Sequence, residues 1–395
     1  MLWGITFALL IATTIGFMAM SHRFDNNIKN RNHKALLSYP LVSILIPTYK
    51  SQKGIASTLE SVNKSDYPNK EVIVVNDSND KTSEIARSYG AKVIQNTRRM
   101  GKGAALNKAA EASNGNFLLI LDADTTLRPS TLTTLMKTNQ MYEDLGESIG
   151  IVAPKYTASN RKNLIARLSD MEQQLHQNLL KIQMSMGSIL SIRGSCLLIN
   201  RTAFDEAGGF AQTLLEDGDF TAKVIKAGYK IKYEPTALVD IKEPETWSSL
   251  LRAKKRYGKG MFYCAFNHRQ PYVLSPQALV CFYPQFLLML AVVGTLIFQN
   301  PLTLAPITMM LAYFVVSGIS SYVLISIIAL VSLVGVVVGS QAIATSTAAK
   351  SGFMATVLPF VLFFVPVVTI AYTRGFLSGV SDKLHRRPEL EFSNW

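Results

Sequence analysis

The order of apolar and polar positions divides this chain into three zones. Leu2–Met20 carries no charge, Ser21 to about Gln277 alternates polar and apolar positions, and Ala278 to about Tyr372 is again almost uncharged, followed by a short basic tail, Arg374–Trp395. A helix needs roughly 20 apolar residues to cross about 30 Å of hydrocarbon. Leu2–Met20 meets that length and lacks the charged start and small-residue end of a cleaved signal, so it reads as an anchor. The C-terminal zone offers four candidate spans, Leu279–Phe298, Leu302–Gly318, Tyr322–Gly339 and Phe353–Tyr372. Only Ser317–Ser321 separates the second from the third, so three crossings with one re-entrant segment stay open.

Within the middle zone the period changes repeatedly. Val42–Pro47, Glu71–Asn76, Lys92–Gln95 and Phe117–Leu121 are short β-branched or continuously apolar runs, and Ile55–Val62, Thr82–Tyr89 and Gly103–Ala112 between them have helical spacing. Apolar strands alternating with helices predict a mostly parallel sheet covered on both faces. A further helix is predicted over Asn163–Met186, with Leu164, Leu168, Met171, Leu175 and Leu179 on one face. That face suits either a membrane surface or packing on the sheet.

Charge then orients the chain. Lys and Arg favour the cytoplasmic side of short loops. Arg23, Lys29, Arg31 and Lys34 follow the first span, and Lys383, Arg386 and Arg387 follow the last. One span before the middle domain and four after it put both basic flanks on the same side, so the middle domain and the C-terminus are expected in the cytoplasm of a multi-pass plasma-membrane protein. The net charge of +13 fits a domain facing anionic lipid, and no nucleic-acid-binding signature accompanies it. Cys196, Cys264 and Cys281 have no paired spacing, as expected of a reduced compartment.

Ligands of such sheets bind beyond the carboxyl ends of the strands, and three of these ends are polar: Pro47-Thr48-Tyr49, Asn76-Asp77-Ser78 and Asp122-Ala123-Asp124. Asp122 and Asp124, two apart on an extended chain, point the same way and repel unless a cation lies between them. Such hard oxygen donors suit Mg²⁺ or Mn²⁺ that also binds substrate phosphates; a solvated turn is the plainer alternative. Asp77 can accept a hydrogen bond from a base ring or form a turn, and Tyr49 can stack on the same base or pack half-buried. Gly101-Lys102-Gly103 opens a helix and offers backbone and charge to a phosphate, without Walker spacing. Glu216-Asp217 at the head of the predicted helix Phe220–Lys226 reads as an acidic cap or as a base for an acceptor hydroxyl. Gly194-Ser195 either lines an acceptor site or turns the chain.

Taken together, Val42–Tyr49, Val74–Asp77, Gly101–Asn107, Asp122–Asp124, Gly194–Arg201, Glu216–Asp219 and the basic Arg252–Gly260 resemble, in content and order, the family 2 glycosyltransferases. The likeness is to their membrane-integrated branch, which includes cellulose, chitin, hyaluronan and poly-N-acetylglucosamine synthases. It implies an α/β fold, a GT-A-like (Rossmann-type) cytoplasmic domain with added transmembrane helices, and inversion at the anomeric carbon. Carried over, Thr48, Tyr49, Asp77, Lys102 and Asp122 belong to the donor site, Asp124 to the metal, and Asp217 with Glu216 to catalysis. Gly194, Ser195 and Tyr257 fall to the acceptor and Arg256 to the donor diphosphate. Leu215 stands where the family has Thr before Glu-Asp, and Ala253 and Tyr257 stand for the Gln and Trp of the Gln-x-x-Arg-Trp motif. The expected partners are a nucleotide sugar, UDP-linked in this branch, a lipid-linked or polysaccharide acceptor, and membrane lipids. The expected organisation is a span over 1–20, a catalytic domain over 40–240, a basic amphipathic segment over 241–277, spans over 278–373 and a basic tail over 374–395. A processive synthase that exports its polymer, transfer of a few sugars to a membrane-bound acceptor, and a non-catalytic membrane scaffold are the competing readings.

Overall fold

A computed structural model of the chain describes residues 16, 19–28, 31, 34–190, 192–269, 275 and 365–385. The chain divides into two compact units with a boundary between Glu243 and Pro244.

The first unit is an eight-stranded sheet in the order β3-β2-β1-β4-β7-β6-β8-β5. Its strands are β1 (Val42–Thr48), β2 (Lys70–Asn76), β3 (Lys92–Gln95), β4 (Phe117–Leu121), β5 (Thr126–Leu127), β6 (Ile149–Ala158), β7 (Cys196–Asn200) and β8 (Lys230–Ile241). Helices α1 (Ile55–Asn63), α2 (Thr82–Ser88) and α3 (Lys102–Glu111) connect the first four strands, in agreement with the apolar periods. Val42, Ile44, Leu45 and Ile46 of β1 are wholly buried, as a strand covered on both faces requires. β1 runs parallel to β2 and β4, β2 to β3, and β6 to β8. β7 runs antiparallel to β4 and β6, and β5 to β8. The sheet is therefore mostly parallel, with two reversed strands, β7 set into its middle and the short β5 at its edge. Reversal brings the start of β7 beside the end of β4, with Cys196 opposite Leu121.

Helices α4 (Thr131–Asp144), α5 (Leu164–Ser185), α6 (Arg201–Glu206) and α7 (Glu216–Lys226) complete this unit. Asn163 caps α5 by accepting from the amides of Ile165 and Ala166. The sheet-facing side of α5 is partly polar: Gln177 donates to the Tyr156 carbonyl at 2.9 Å and accepts from the Tyr233 hydroxyl at 3.0 Å. Leu164 is exposed, Leu168 is buried, and Met171 and Leu179 are half-buried. The leucine stripe is thus not a single packing face. Behind the sheet, Lys232 lies 2.5 Å from Glu147 and over the Tyr142 ring at 4.2 Å, while Arg31 pairs with buried Glu234 at 3.0 Å. These partners allow two charged residues of β8 to be buried, where an unpaired charge would be too costly.

The second unit includes α8 (Trp247–Asn267) and α9 (Val365–Leu384). They pack closely through glycine: a Cβ on Gly258 would run into the Tyr372 carbonyl, and one on Gly375 into that of Lys255. Lys259 pairs with Asp382 at 2.7 Å, and Phe262 meets Phe376 edge-on. No helix among the described residues is long and apolar enough to cross a membrane. Three of the expected C-terminal spans, nearly all of the N-terminal one and most of Phe353–Tyr372 lie outside the described residues. α9 continues past Tyr372 to Leu384, so the segment expected to be a tail begins as helix.

Candidate active site

Parallel pairing of β2, β1 and β4 brings their carboxyl ends to one edge of the sheet, and the reversed β7 adds its beginning there. The amide of Asp122 donates to the Ser195 carbonyl at 2.9 Å, which fixes Gly194-Ser195 against the end of β4. Asp77, at the end of β2, is committed within the protein. Its Oδ2 accepts from the amides of Met100 and Gly101 at 2.8 and 3.0 Å, and its Oδ1 from Asn96 at 2.7 Å. It therefore shapes the loop that enters α3. Thr48, expected at the donor, is buried, and its hydroxyl bonds to Asn76 at 3.1 Å, joining β1 to β2.

Lys102, the first residue of α3, gathers the acidic groups. Its Nζ lies 2.8 Å from Asp122 Oδ1, 3.1 Å from Glu216 Oε1 and 3.2 Å from the Gly194 carbonyl. Burial opposes the ammonium, but the carboxylates of Asp122, Glu216 and Asp217 together outweigh it and raise its pKa. Gly101 enters the helix at φ 88°, which glycine adopts without strain. A Cβ on Gly103 would lie 2.5 Å from the Ala211 carbonyl, so this glycine serves close packing.

Asp217 begins α7 beside Glu216. Its Oδ2 accepts from the Gly194 amide at 2.7 Å and its Oδ1 from the Gly218 amide at 2.8 Å. Burial, then the charge of Glu216, raise its pKa to about 6, although Lys102 and the two amides pull it down. A carboxyl poised there is ionised at neutral pH yet basic enough to accept a proton in a reaction.

Asp124 turns into a cleft of about 770 Å³, lined also by Tyr49, Lys53, Gly54, Asp122 and Lys242. Gly54, before α1, leaves room for the loop: a Cβ there would lie 3.0 Å from the Ala123 carbonyl. Thr58 donates to that carbonyl at 2.9 Å. Burial, with the neighbouring Asp122 charge, raises the pKa of Asp124. A divalent cation would relieve both causes, so Asp122 and Asp124 fit Mg²⁺ or Mn²⁺. Among the described residues no third acidic, His or Cys side chain joins them. Such a cation would complete its shell with water and substrate oxygens, as Mg²⁺ commonly does. Tyr49 is partly exposed, and the Arg99 guanidinium stacks on its ring at 4.0 Å. Arg256 and Tyr257 lie on α8, in the second unit, with the guanidinium 5.2 Å from the Tyr257 ring centre.

Several residues that hold the site carried little signal in the sequence. Asn107 bonds both ways to the backbone of Phe210, pinning the loop that leads towards Glu216. The Tyr156 hydroxyl lies 2.7 Å from the carbonyls of both Arg193 and Cys196 and shares its single proton between them. Arg193 reaches Glu243 at 2.8 Å and Gln173 at 3.1 Å. The available clue was a charge beside Gly-Ser and another beside Pro244.

Comparison with known proteins agrees with this geometry. Residues 43–208 match the family described as Glycosyl transferase family 2. The chain is 32% identical over 261 residues to "Probable glycosyltransferase YdaM" of Bacillus subtilis (strain 168), covering 61% of this chain and 59% of that protein. It is 28% identical over 228 residues to a poly-beta-1,6-N-acetyl-D-glucosamine synthase of Staphylococcus epidermidis, covering 55% of this chain and 54% of the relative. The chain thus spans between half and two thirds of the length of these curated relatives. The fold is similar to that of the mannosyltransferase PcManGT from Pyrobaculum calidifontis, solved with GDP-Man and Mn²⁺: the TM-score is 0.58 at 17% identity, covering 98% of this chain and 100% of that one. The GT-A-like sheet, the carboxylates at its strand ends and the sequence match agree, and residues 43–208 carry the match to glycosyltransferase family 2.

Proposed function

We propose that this chain transfers a sugar from a nucleotide diphosphate sugar, UDP-linked by expectation, to a hydroxyl of a lipid-linked or membrane-associated glycan, with inversion at the anomeric carbon. The observation that carries this reading is the bridge made by Lys102. One ammonium joins Asp122, at the donor end of the cleft, to the Glu216-Asp217 pair at the head of α7.

Asp122 and Asp124 would hold Mg²⁺ or Mn²⁺, whose chemistry when bound is to neutralise the departing diphosphate. Lys102 adds positive charge on the same side. Asp217 takes the proton of the acceptor hydroxyl as its oxygen forms the bond to the anomeric carbon, and the bond to the diphosphate breaks. The displacement is a single one and needs no carboxylate nucleophile. Tyr49 is assigned to the base, with Asp77 acting through the loop it shapes; Gly194 and Ser195 are assigned to the acceptor, and Arg256 and Tyr257 to the diphosphate and the acceptor sugar. The protein is read as a multi-pass plasma-membrane protein with this domain in the cytoplasm, on the strength of the basic flanks and the apolar runs.

The test is a panel of nucleotide sugars with the full chain in detergent and Mn²⁺, scored for released nucleoside diphosphate. Turnover of one donor, lost in Asp217→Asn, is the expected result. No turnover of any donor, with or without membrane lipid extract as acceptor, would overturn the reading in favour of a scaffold.

A second reading, processive synthesis, draws support from the likeness to poly-beta-1,6-N-acetyl-D-glucosamine synthases. Ala253 and Tyr257, in place of the family's Gln and Trp, weigh towards addition of a few sugars, because Ala offers no hydrogen bond and Tyr a smaller stacking face. Sizing the product made with excess donor separates the two. Long glycan without added lipid acceptor favours the synthase.

A further inference from the structure

Glu243 is the last residue of the sheet unit, immediately before Pro244, where the chain leaves for α8. It is held unusually firmly for a chain exit. Its amide donates to Asn160 Oδ1 at 3.0 Å, its carbonyl accepts from Asn160 Nδ2 at 2.8 Å, and its side chain is buried. The buried carboxylate meets Arg193 Nη1 at 2.8 Å. That nitrogen is shared with Gln173 Oε1 of α5 at 3.1 Å, so the guanidinium is anchored from two elements.

The backbone that follows Arg193 runs directly into the catalytic carboxylates. Its carbonyl accepts from the buried Tyr156 hydroxyl at 2.7 Å. The next amide, of Gly194, donates to Asp217 Oδ2 at 2.7 Å, and the Gly194 carbonyl receives Lys102. Contacts within hydrogen-bond distance therefore lead from Glu243 through Arg193 and Gly194 to Asp217. Neither Arg193 nor Glu243 lines the cleft.

We propose that the Arg193–Glu243 ion pair is a positioning device for the base, which fixes the Gly194 amide against Asp217 and refers it to the point where the chain leaves the sheet. This rests on the reading of Asp217 as the base. Arg193 and Glu243 touch no reacting atom; they act through Gly194.

The experiment uses the full chain in detergent with Mn²⁺ and the nucleotide sugar that turns over in the panel above, UDP-N-acetylglucosamine being tried first. Arg193→Met and Glu243→Gln are each expected to lower kcat about tenfold while donor affinity stays within about twofold, as for a misplaced group outside the donor site. The double variant should be no worse than either single one, because each removes the same contact. Arg193→Lys, which keeps the charge, should recover most of kcat. The proposal is overturned if kcat is unchanged, if kcat and donor affinity fall together, if the double loss is the product of the single ones, or if neither Arg193→Met nor Glu243→Gln folds, which would make the pair a purely structural one. If the wild-type chain turns over no donor, or if Asp217→Asn keeps full activity, the functional reading fails instead.

Discussion

Gly194 and Asp217 lie so close that nothing larger than hydrogen fits between them. The Gly194 amide donates to Asp217 Oδ2 at 2.7 Å, and a Cβ built on Gly194 would stand 2.7 Å from the Asp217 Cβ and 2.8 Å from Oδ2. The glycine of this loop is therefore required by the carboxylate it supports. Gly194→Ala should push Asp217 off its two amides and lower kcat by about 10²-fold, with donor binding kept, since Asp122 and Asp124 are untouched. Turnover and nucleotide affinity measured side by side check this. A variant with wild-type kcat would show that the loop yields without cost.

The raised pKa of Asp217 has two consequences with definite sign. With Asp217 as the proposed base, activity needs the ionised carboxylate, so kcat/KM should fall as pH drops through about 6. For stability, the folded carboxyl holds its proton to about pH 6, while the unfolded one, near its ordinary value of about 4, has already lost it. Its contribution to stability therefore declines as pH rises from about 4 to about 6, where acids with depressed pKa would add stability. Asp217→Asn removes that decline. Unfolding midpoints of the two proteins across this range should approach each other at the low end and differ in slope between.

How far the sequence revealed this site depends on where polar residues sit. β1 to β4 were legible because their interiors are continuously apolar and their ends abruptly polar; Asp77, Asp122 and Asp124 stood out at those ends. β6 and β8 were not, because Lys155, Thr157, Lys232 and Glu234 interrupt them, and the burial of the last two is explained by partners the fold supplies, Glu147 and the Gly187 carbonyl for Lys232, Arg31 and Thr138 for Glu234. The reversal of β7 leaves no trace in its apolar run, yet it sets Ser195 against Asp122. Thr48 illustrates the opposite error: a polar residue at a strand end turned inward to Asn76. Arg193 and Glu243 are 50 residues apart in sequence and meet only through the fold.

Asp124 provides the test of the metal. Burial and the Asp122 charge both disfavour its ionised form, and a divalent cation reverses the balance. Chelation with EDTA should stop transfer, with Mn²⁺ restoring it in the wild type but not in Asp124→Asn. Calorimetric titration of Mn²⁺ with UDP present should give binding in the wild type and little in the variant. Full activity in excess EDTA would remove the metal from the mechanism.

Lys102 connects the two ends of the site, and its removal should move both. In Lys102→Met the carboxylates of Asp122, Glu216 and Asp217 lose the ammonium they share. Lys102 is one of the influences that lower the pKa of Asp217, so without it Asp217 should titrate higher. The acid limb of kcat/KM should accordingly shift upward in pH, and activity at neutral pH should fall for lack of ionised base. Donor KM should rise as well, because a positive charge near the leaving diphosphate is gone. Stability should drop by about 1–2 kcal/mol, less than for a fully buried pair, because the ammonium is still partly open to solvent. That loss has its own sign: the raised lysine pKa means the stabilising charge is present at every pH below the ordinary lysine value of about 10.4, so the deficit should persist up to about pH 9, growing above pH 6 until Asp217 of the variant has ionised. Lys102→Arg keeps the charge on a bulkier, planar group and should retain the position of the acid limb while losing some turnover. The pH profiles of the three proteins, measured with one donor, decide the matter. An acid limb in Lys102→Met at the wild-type position would show that Lys102 serves the donor alone and leaves the base unaffected.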